Sequence, residues 1–477
     1  MTQTQEMPYV ASPTSPPRLQ GFNAFSALRA FGSDPLAFLR EVGAQGDVME
    51  TRFGPRKAVF LRDPRAVEQI LVTHQREFTK QTRGYYFLRK VLGNGLVTSE
   101  GDFWREQRRI SQPAFAKQRI EGLTETMVRC TQRLLDGPLA AAAESGAPLD
   151  IAAEMMRVTL DVVSATLLGI ESGERADEVS WAMPVVLEHV VWGITHPLAL
   201  PEMFPTARNR QYKKALKALD NLVEGIIAER RARPHAGRLD ETRRLEEAQR
   251  GDLLDMLMEA RDEETGRGMT DKQLRDEVMT MYLAGHETTA VSLAWTLWLL
   301  TQNPEWALKV QAELDEVLQG RCPTLADMGR LDVTRRVLEE GMRLYPPVWL
   351  LARMSTADHT LAGYHVPKGR LVFVSPWLTH RDPKFFADPE RFDPDRFLPE
   401  SRAKLPKHAY FPFSAGQRKC IGDRFALLEA QIILAMLLSR FRFVSTSSHT
   451  PEPLCAVTLR PKHPMPMQVA PRAPAER

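Results

Sequence analysis

Apolar positions along this chain recur mostly at helical spacing, and strand-like alternation is confined to a few short segments. Residues 271–302 form the longest helical candidate. Thr270 with Gln273 supplies a capping box at its start, and Asn303-Pro304 supplies the stop. Thirty-two residues at about 1.5 Å each span roughly 48 Å, enough to cross a large domain. A second helix is predicted over Phe425–Phe441, with Phe425, Leu428, Ile432 and Met436 on one stripe. A third runs from about Asp332 to Tyr345 and must stop before Pro346-Pro347. Val48–Arg52 and Ala58–Leu61 flank Gly54-Pro55 and read as a hairpin. His359–Val366 and Leu371–Val374 flank Pro367-Lys368-Gly369 and read as another. The pattern predicts a mainly α fold with a small β region.

Length changes this picture little. At about 150 residues per domain, 477 residues suggest roughly three domains. No repeat and no Gly/Ser-rich linker divides the chain, so one large domain over residues 21–465 is expected. Residues 1–20 read as an extended segment, and 466–477 as an extended tail. His235–Asp252 is dense in charge and reads as an exposed loop or frayed helix end. With 43% hydrophobic and 26% charged residues, the chain has folded globular composition. A net charge of +3 is too small for nucleic-acid binding along its whole length. The polar, proline-rich start lacks a signal-peptide pattern. No run reaches the ~18 apolar residues of a membrane span; Ala290–Leu300 comes nearest. A cytoplasmic chain with no membrane anchor and no nucleic-acid partner is expected, and a monomer.

The four cysteines, Cys130, Cys322, Cys420 and Cys455, include no C-x-x-C pair. That excludes zinc ribbons, thioredoxin-type sites and cysteine-ligated iron–sulfur clusters, and points to a reducing compartment. Cys420 alone has a special setting. Gly416 and Gly422 flank it and allow a tight loop with unusual dihedrals. Arg418 and Lys419 place positive charge beside the sulfur. A helix begins just after it, so its N-terminal N–H groups point back. All three effects favour a thiolate, and Phe413 shields it.

The segment Phe413-Ser-Ala-Gly416-Gln-Arg418-Lys419-Cys420-Ile-Gly422 matches F-x-x-G-x-R-x-C-x-G throughout. It resembles the haem-binding loop of the cytochrome P450 family, the haem-thiolate monooxygenases, of soluble bacterial type. The resemblance implies haem b between the long helix 271–302 and the helix following Cys420. It implies Cys420 as the axial thiolate, whose electron donation favours O–O cleavage. Ala284-Gly285-His286-Glu287-Thr288-Thr289 resembles the family's oxygen-binding kink. There Gly285 would leave room for dioxygen, Thr288 would hydrogen-bond it, and Glu287 would relay protons. His286-Glu287 also begins H-E-x-x-H, but Ala290 stands where the second histidine should be.

Glu340-x-x-Arg343 with the downstream Pro389–Phe397 stretch resembles the family's buried Glu–Arg–Arg triad. Arg396 is the choice for its third member, and Arg391 the rival. Trp104-x-x-x-Arg108 places two side chains on one helix face and resembles the helix that meets the haem propionates. Arg418 and Arg353 are further propionate partners by the same resemblance, though Arg353 could equally be a surface charge. By resemblance the substrate pocket draws on Tyr85–Val97, the segment around Trp181–Met203, Met281, Ala284, Val348–Leu351 and Val457-Thr458, which are mainly apolar, as Val91, Leu92, Trp192, Val348, Trp349 and Leu350 show.

From Arg402 to Arg424 six basic residues face one acid, Asp423. Arg105, Arg108, Arg109, Lys117 and Arg119 add to them. They form a candidate docking face for a separate acidic electron donor. The implied activity uses O2 and electrons from NAD(P)H, delivered through a ferredoxin or flavodoxin with its reductase. It hydroxylates a C–H bond, or oxidises a C=C bond, of an apolar fatty acid, terpenoid, steroid or polyketide. A peroxide-driven peroxygenase and a non-catalytic haem-binding protein are the alternatives on the same fold.

Overall fold

The computed structural model describes residues 14–170, 174–196, 200–232 and 252–472. Most of the charge-dense segment His235–Asp252 lies outside them. The long helix forms over Asp271–Gln302, and both bonds of the Thr270–Gln273 capping box are present. At its far end Asn303 Nδ2 donates to Leu299 O (2.8 Å). The helix is buried on nearly every side, as a chain apolar around its whole circumference must be. Helices Ile151–Leu167, Ala207–Ala232, Asp332–Leu344 and Asp423–Arg440 pack around it.

The first hairpin forms as expected, Val48–Phe53 pairing with Arg56–Leu61. These strands open a five-stranded sheet that continues through Leu371–Val374, Leu351–Ser355 and Phe78–Thr79. The second expected hairpin is corrected. His359–Leu361 pairs with Tyr364–Val366 around Ala362-Gly363, not around Pro367-Lys368-Gly369. Both turn residues have positive φ, 47° and 88°, the geometry that matches strand twist in a two-residue hairpin. Leu371–Val374 instead runs parallel to Arg56–Leu61 and antiparallel to Leu351–Ser355.

The extended C-terminal tail is also corrected. Pro466–Pro471 is the middle strand of a three-stranded sheet, between Leu149–Asp150 and Phe441–Ser445. Met467 and Val469 alternate inward and are buried. Among the described residues, no helix is long and apolar enough to cross a membrane. Trp295 on the long helix stacks on Tyr345 (4.0 Å between centroids). Its indole donates to Leu459 O (2.8 Å). That bond pins the turn carrying Val457 and Thr458 against the long helix.

Candidate active site

Cys420 sits in a loop that folds back on itself. Its N–H donates to Phe413 O (2.9 Å), and Lys419 N–H donates to Gly416 O (3.1 Å). Gly416 has φ +68°, and a Cβ there would collide with the Leu71 carbonyl oxygen. Only glycine fits. Gly422 needs no such freedom: its φ is −93°, and it caps helix Asp423–Arg440. Unusual dihedrals were expected at both glycines and occur at Gly416 alone. Cys420 has accessible surface and lines a cavity of about 2180 Å³ that opens to solvent near Phe25 and Leu28. Burial pushes the thiol up, while the Gly422 N–H, Arg108 and Lys419 pull it down. Desolvation is the larger effect, so the thiol does not gain the net lowering expected from its basic neighbours and the helix N-terminus.

One wall of the cavity is cationic. Arg418 stacks over the Trp104 ring at 3.8 Å and donates to Ser99 O (2.9 Å). Arg108 Nη1 donates to Lys419 O (3.1 Å). Arg353 is buried, not a surface charge, and donates to Tyr85 Oη (3.2 Å). Lys80, which sequence reasoning missed, is buried beside them and donates to Val97 O (2.7 Å). Burial lowers Lys80 well below its ordinary value, and Arg353 and Arg418 lower it further. Burial also lowers Arg418 to about 10, against the pull of Glu100. Glu100, 3.5 Å from Arg418, is the carboxylate that partly offsets this charge. An excess of buried and half-buried basic side chains in a cavity that also exposes a cysteine fits a cofactor carrying carboxylates.

The Ala284–Thr289 stretch stays helical throughout, so the expected kink is not a break. Thr288 Oγ1 donates to Ala284 O (2.7 Å), and Thr289 Oγ1 to Gly285 O (3.1 Å). Such back-bonding absorbs the hydroxyls within the helix. A Cβ on Gly285 would lie 3.1 Å from Val163 Cγ2. Gly285 therefore packs closely against Ile151–Leu167 and also lines the cavity, where its neighbour Ala284 is the more exposed of the two. Glu287 is buried and accepts a hydrogen bond from Thr458 Oγ1 (2.8 Å). Burial raises its pKa, and Thr458 and Arg460 oppose the shift. His286 turns to Tyr282 O (3.1 Å), and burial lowers it to about 4. Glu429, also missed, is fully buried near Thr289, and burial holds its carboxyl well above the usual range.

Below the loop, Arg343 spends all five N–H groups. Nε and one Nη2 hydrogen meet Glu340 (2.7 and 2.8 Å). The others reach His380 O, Pro389 O and Arg391 O (2.9, 2.7 and 3.1 Å). Glu340 Oε1 also accepts from Asp393 N–H (2.8 Å). Arg396 Nε lies 3.5 Å from Glu340 Oε1. Arg391 instead is exposed and meets Asp393 (3.4 Å).

Leu92, Met281, Ala284, Val348, Trp349, Leu350 and Val457 line the cavity, with Phe413, Glu287 and Thr288. Val91 is buried in the core and does not line it. Trp192 stacks on His196 instead. Tyr85 and Leu187 line the cavity from within the expected Tyr85–Val97 and Trp181–Met203 stretches, whereas Leu454, also a lining residue, had no local signal. The expected basic face is largely neutralised. Arg109 binds Asp262 and Glu264, Lys117 meets Glu121, and Lys419 meets Asp423. Arg402 pairs with Glu339, Lys407 with Glu68, and Arg105 with Asp102. Arg418 and Arg108 line the cavity.

Comparison with known proteins agrees with this geometry. Residues 16–467 match the family described as Cytochrome P450. Cyclooctatin synthase of Streptomyces melanosporofaciens is 37% identical over 92% of this chain and 90% of its own length. Cyclooctat-9-en-7-ol 5-monooxygenase of the same organism is 38% identical over 86% of this chain and 85% of its own. Pentalenene oxygenase of Streptomyces avermitilis is 33% identical, covering 93% and 94%. The crystal structure of the cytochrome P450DA heme domain superposes with a TM-score of 0.85 at 29% identity, over 98% of this chain and 99% of that one. A chain matched over nearly its full length, by sequence and by fold, belongs to the cytochrome P450 family.

Proposed function

We propose that this chain inserts one oxygen atom from O2 into a C–H bond of a cyclic terpenoid, using electrons from NAD(P)H delivered by a separate ferredoxin or flavodoxin system. One observation carries the reading: Cys420, the basic residues Lys80, Arg108, Arg353 and Arg418, and the Glu287-Thr288 pair all line a single cavity. At about 2180 Å³ it is roughly twice the largest ordinary ligand pocket. That leaves space for a cofactor and a second molecule together. The family's cofactor is haem, which when bound supplies a redox-active iron able to activate oxygen. Cys420 would hold it, and Arg108, Arg353, Arg418 and Lys80 would meet its carboxylates.

The chain's own groups do the rest. Glu287 keeps its proton more readily than an exposed acid because it is buried, which suits a donor. The Thr288 hydroxyl, now turned to Ala284 O, needs one χ1 rotation to serve the cavity. The Leu92, Leu187, Leu350 and Leu454 side chains exclude water and select an apolar substrate. Two of the similar proteins are named for cyclooctat-9-en-7-ol and pentalenene, which supports a cyclic terpenoid over the other apolar classes. All four cysteines are free thiols, which supports a reducing, cytoplasmic setting.

Reconstitution tests the reading. Product from a cyclic terpenoid should require O2, NAD(P)H and an added ferredoxin or flavodoxin system. Cyclic terpenoids should also shift the haem spin state, and fatty acids and macrolides should do so less. Equal turnover with no added redox protein, or no response to any cyclic terpenoid, would defeat it. Thr288→Ala should lower product per NAD(P)H by at least about 10-fold and raise peroxide release, as loss of a positioned proton donor does. Undiminished coupling would remove Thr288 from that role.

A further inference from the structure

Outside the cavity, the turn at residues 74–77 meets the hairpin that begins at His359. His359 Nε2 lies 3.2 Å from Glu77 Oε2, and His74 Nδ1 lies 3.9 Å from the same oxygen. One donor atom from each of the three side chains falls within 4.8 Å of the other two. The two imidazole centroids are 5.2 Å apart. His359 is 8% exposed, and its Nε2 makes no hydrogen bond despite the nearby carboxylate. A buried ring nitrogen in that state is costly unless something else satisfies it. The ring is held in place, with Phe78 against it at 4.5 Å. Glu77 is held through its carbonyl, which accepts from Thr356 N–H (2.8 Å) and Thr356 Oγ1 (3.0 Å).

We propose that His74, Glu77 and His359 bind one divalent metal ion of the zinc, copper or nickel class. Two imidazoles and a carboxylate are the donor set such ions prefer, at bond lengths of about 2.0–2.2 Å. Tetrahedral ligation at those lengths puts donors about 3.3–3.5 Å apart. The Glu77–His359 spacing already matches. The side chains of His74 and Glu77 are 42% and 49% exposed and close the remaining gap by rotation, and water completes the shell. The site also has a mechanical setting. Residues 69–73 immediately precede His74 and carry the Leu71 carbonyl that packs on Gly416 of the Cys420 loop. A bound ion braces that wall from outside without entering the cavity.

The test uses tag-free, haem-loaded protein. Calorimetric titration with ZnCl2 should show one equivalent bound. Cu2+ at the same site should give an electron paramagnetic resonance spectrum with nitrogen couplings from two imidazoles. His74→Ala and Glu77→Gln, both at exposed positions, should each weaken Zn2+ by at least about 10-fold and leave the ferrous–CO spectrum intact. Unchanged Zn2+ affinity in either variant, or no binding at millimolar ZnCl2, overturns the proposal.

Discussion

Cys420→Ser is expected to abolish the red-shifted Soret band of the ferrous–CO complex. The substitution isolates the donor atom. The loop is shaped by backbone bonds, Cys420 N–H to Phe413 O and Lys419 N–H to Gly416 O, which serine keeps. Gly416 still packs on Leu71. Serine is close in size to cysteine, so the cavity is not reshaped. What disappears is a soft sulfur that can bind iron as an anion; a serine hydroxyl is a harder and far weaker acid. The band reports thiolate donation, so its loss reads the ligand directly. An unaltered band would sink the assignment of Cys420. Cys130, Cys322 and Cys455 provide the control, because none lies in the haem loop. Serine at Cys322, which is exposed, should leave the spectrum unchanged.

Glu340→Ala should cost about 3–5 kcal/mol, the usual effect of stranding one member of a buried ion pair. Both side chains of the Glu340–Arg343 pair are 0% exposed. Removing the acid leaves a guanidinium with no counter-charge, and also strands the Asp393 N–H that Glu340 accepts. Domains hold only about 5–15 kcal/mol in total. The expected results are a collapse in yield of haem-loaded protein and a melting temperature lower by about 3–5 °C. Arg343→Lys should be nearly as damaging despite keeping the charge, because lysine cannot reach three separate carbonyls and a carboxylate at once. Arg396→Ala should cost less, since Arg396 meets Glu340 at 3.5 Å and its Nε makes no hydrogen bond. A melting temperature in Glu340→Ala equal to that of the parent would refute the pair's structural weight.

Features carried by short sequence spacing were legible. The Thr270–Gln273 cap, the loop around Cys420 and the Glu340–Arg343 pair each lie within one turn or one loop. Their geometry follows from neighbours along the chain. What escaped depends on distant partners. Lys80 joins the cationic wall only because Phe78–Thr79 pairs with Leu351–Ser355. Thr458 reaches Glu287 from 171 residues away. The contact of Gly285 with Val163, which adds a packing role to its place in the cavity wall, cannot be seen from residue 285 alone. The basic face looked uniform because Asp262 and Glu264, which bind Arg109, come from outside the segments that carry it. The second hairpin was misplaced because Pro-Lys-Gly is a louder turn signal than Ala362-Gly363.

The loop around Cys420 is held by partners far back in the chain. Arg418 donates to Ser99 O across 319 residues, and Arg108 to Lys419 O across 311. Contacts of such sequence separation are slow to form, because the intervening chain must first be ordered. During synthesis the helices around residues 151–302 leave the ribosome long before residue 420 does. The cofactor chamber therefore cannot close until the chain beyond residue 420 has been made, and haem capture is expected late in folding.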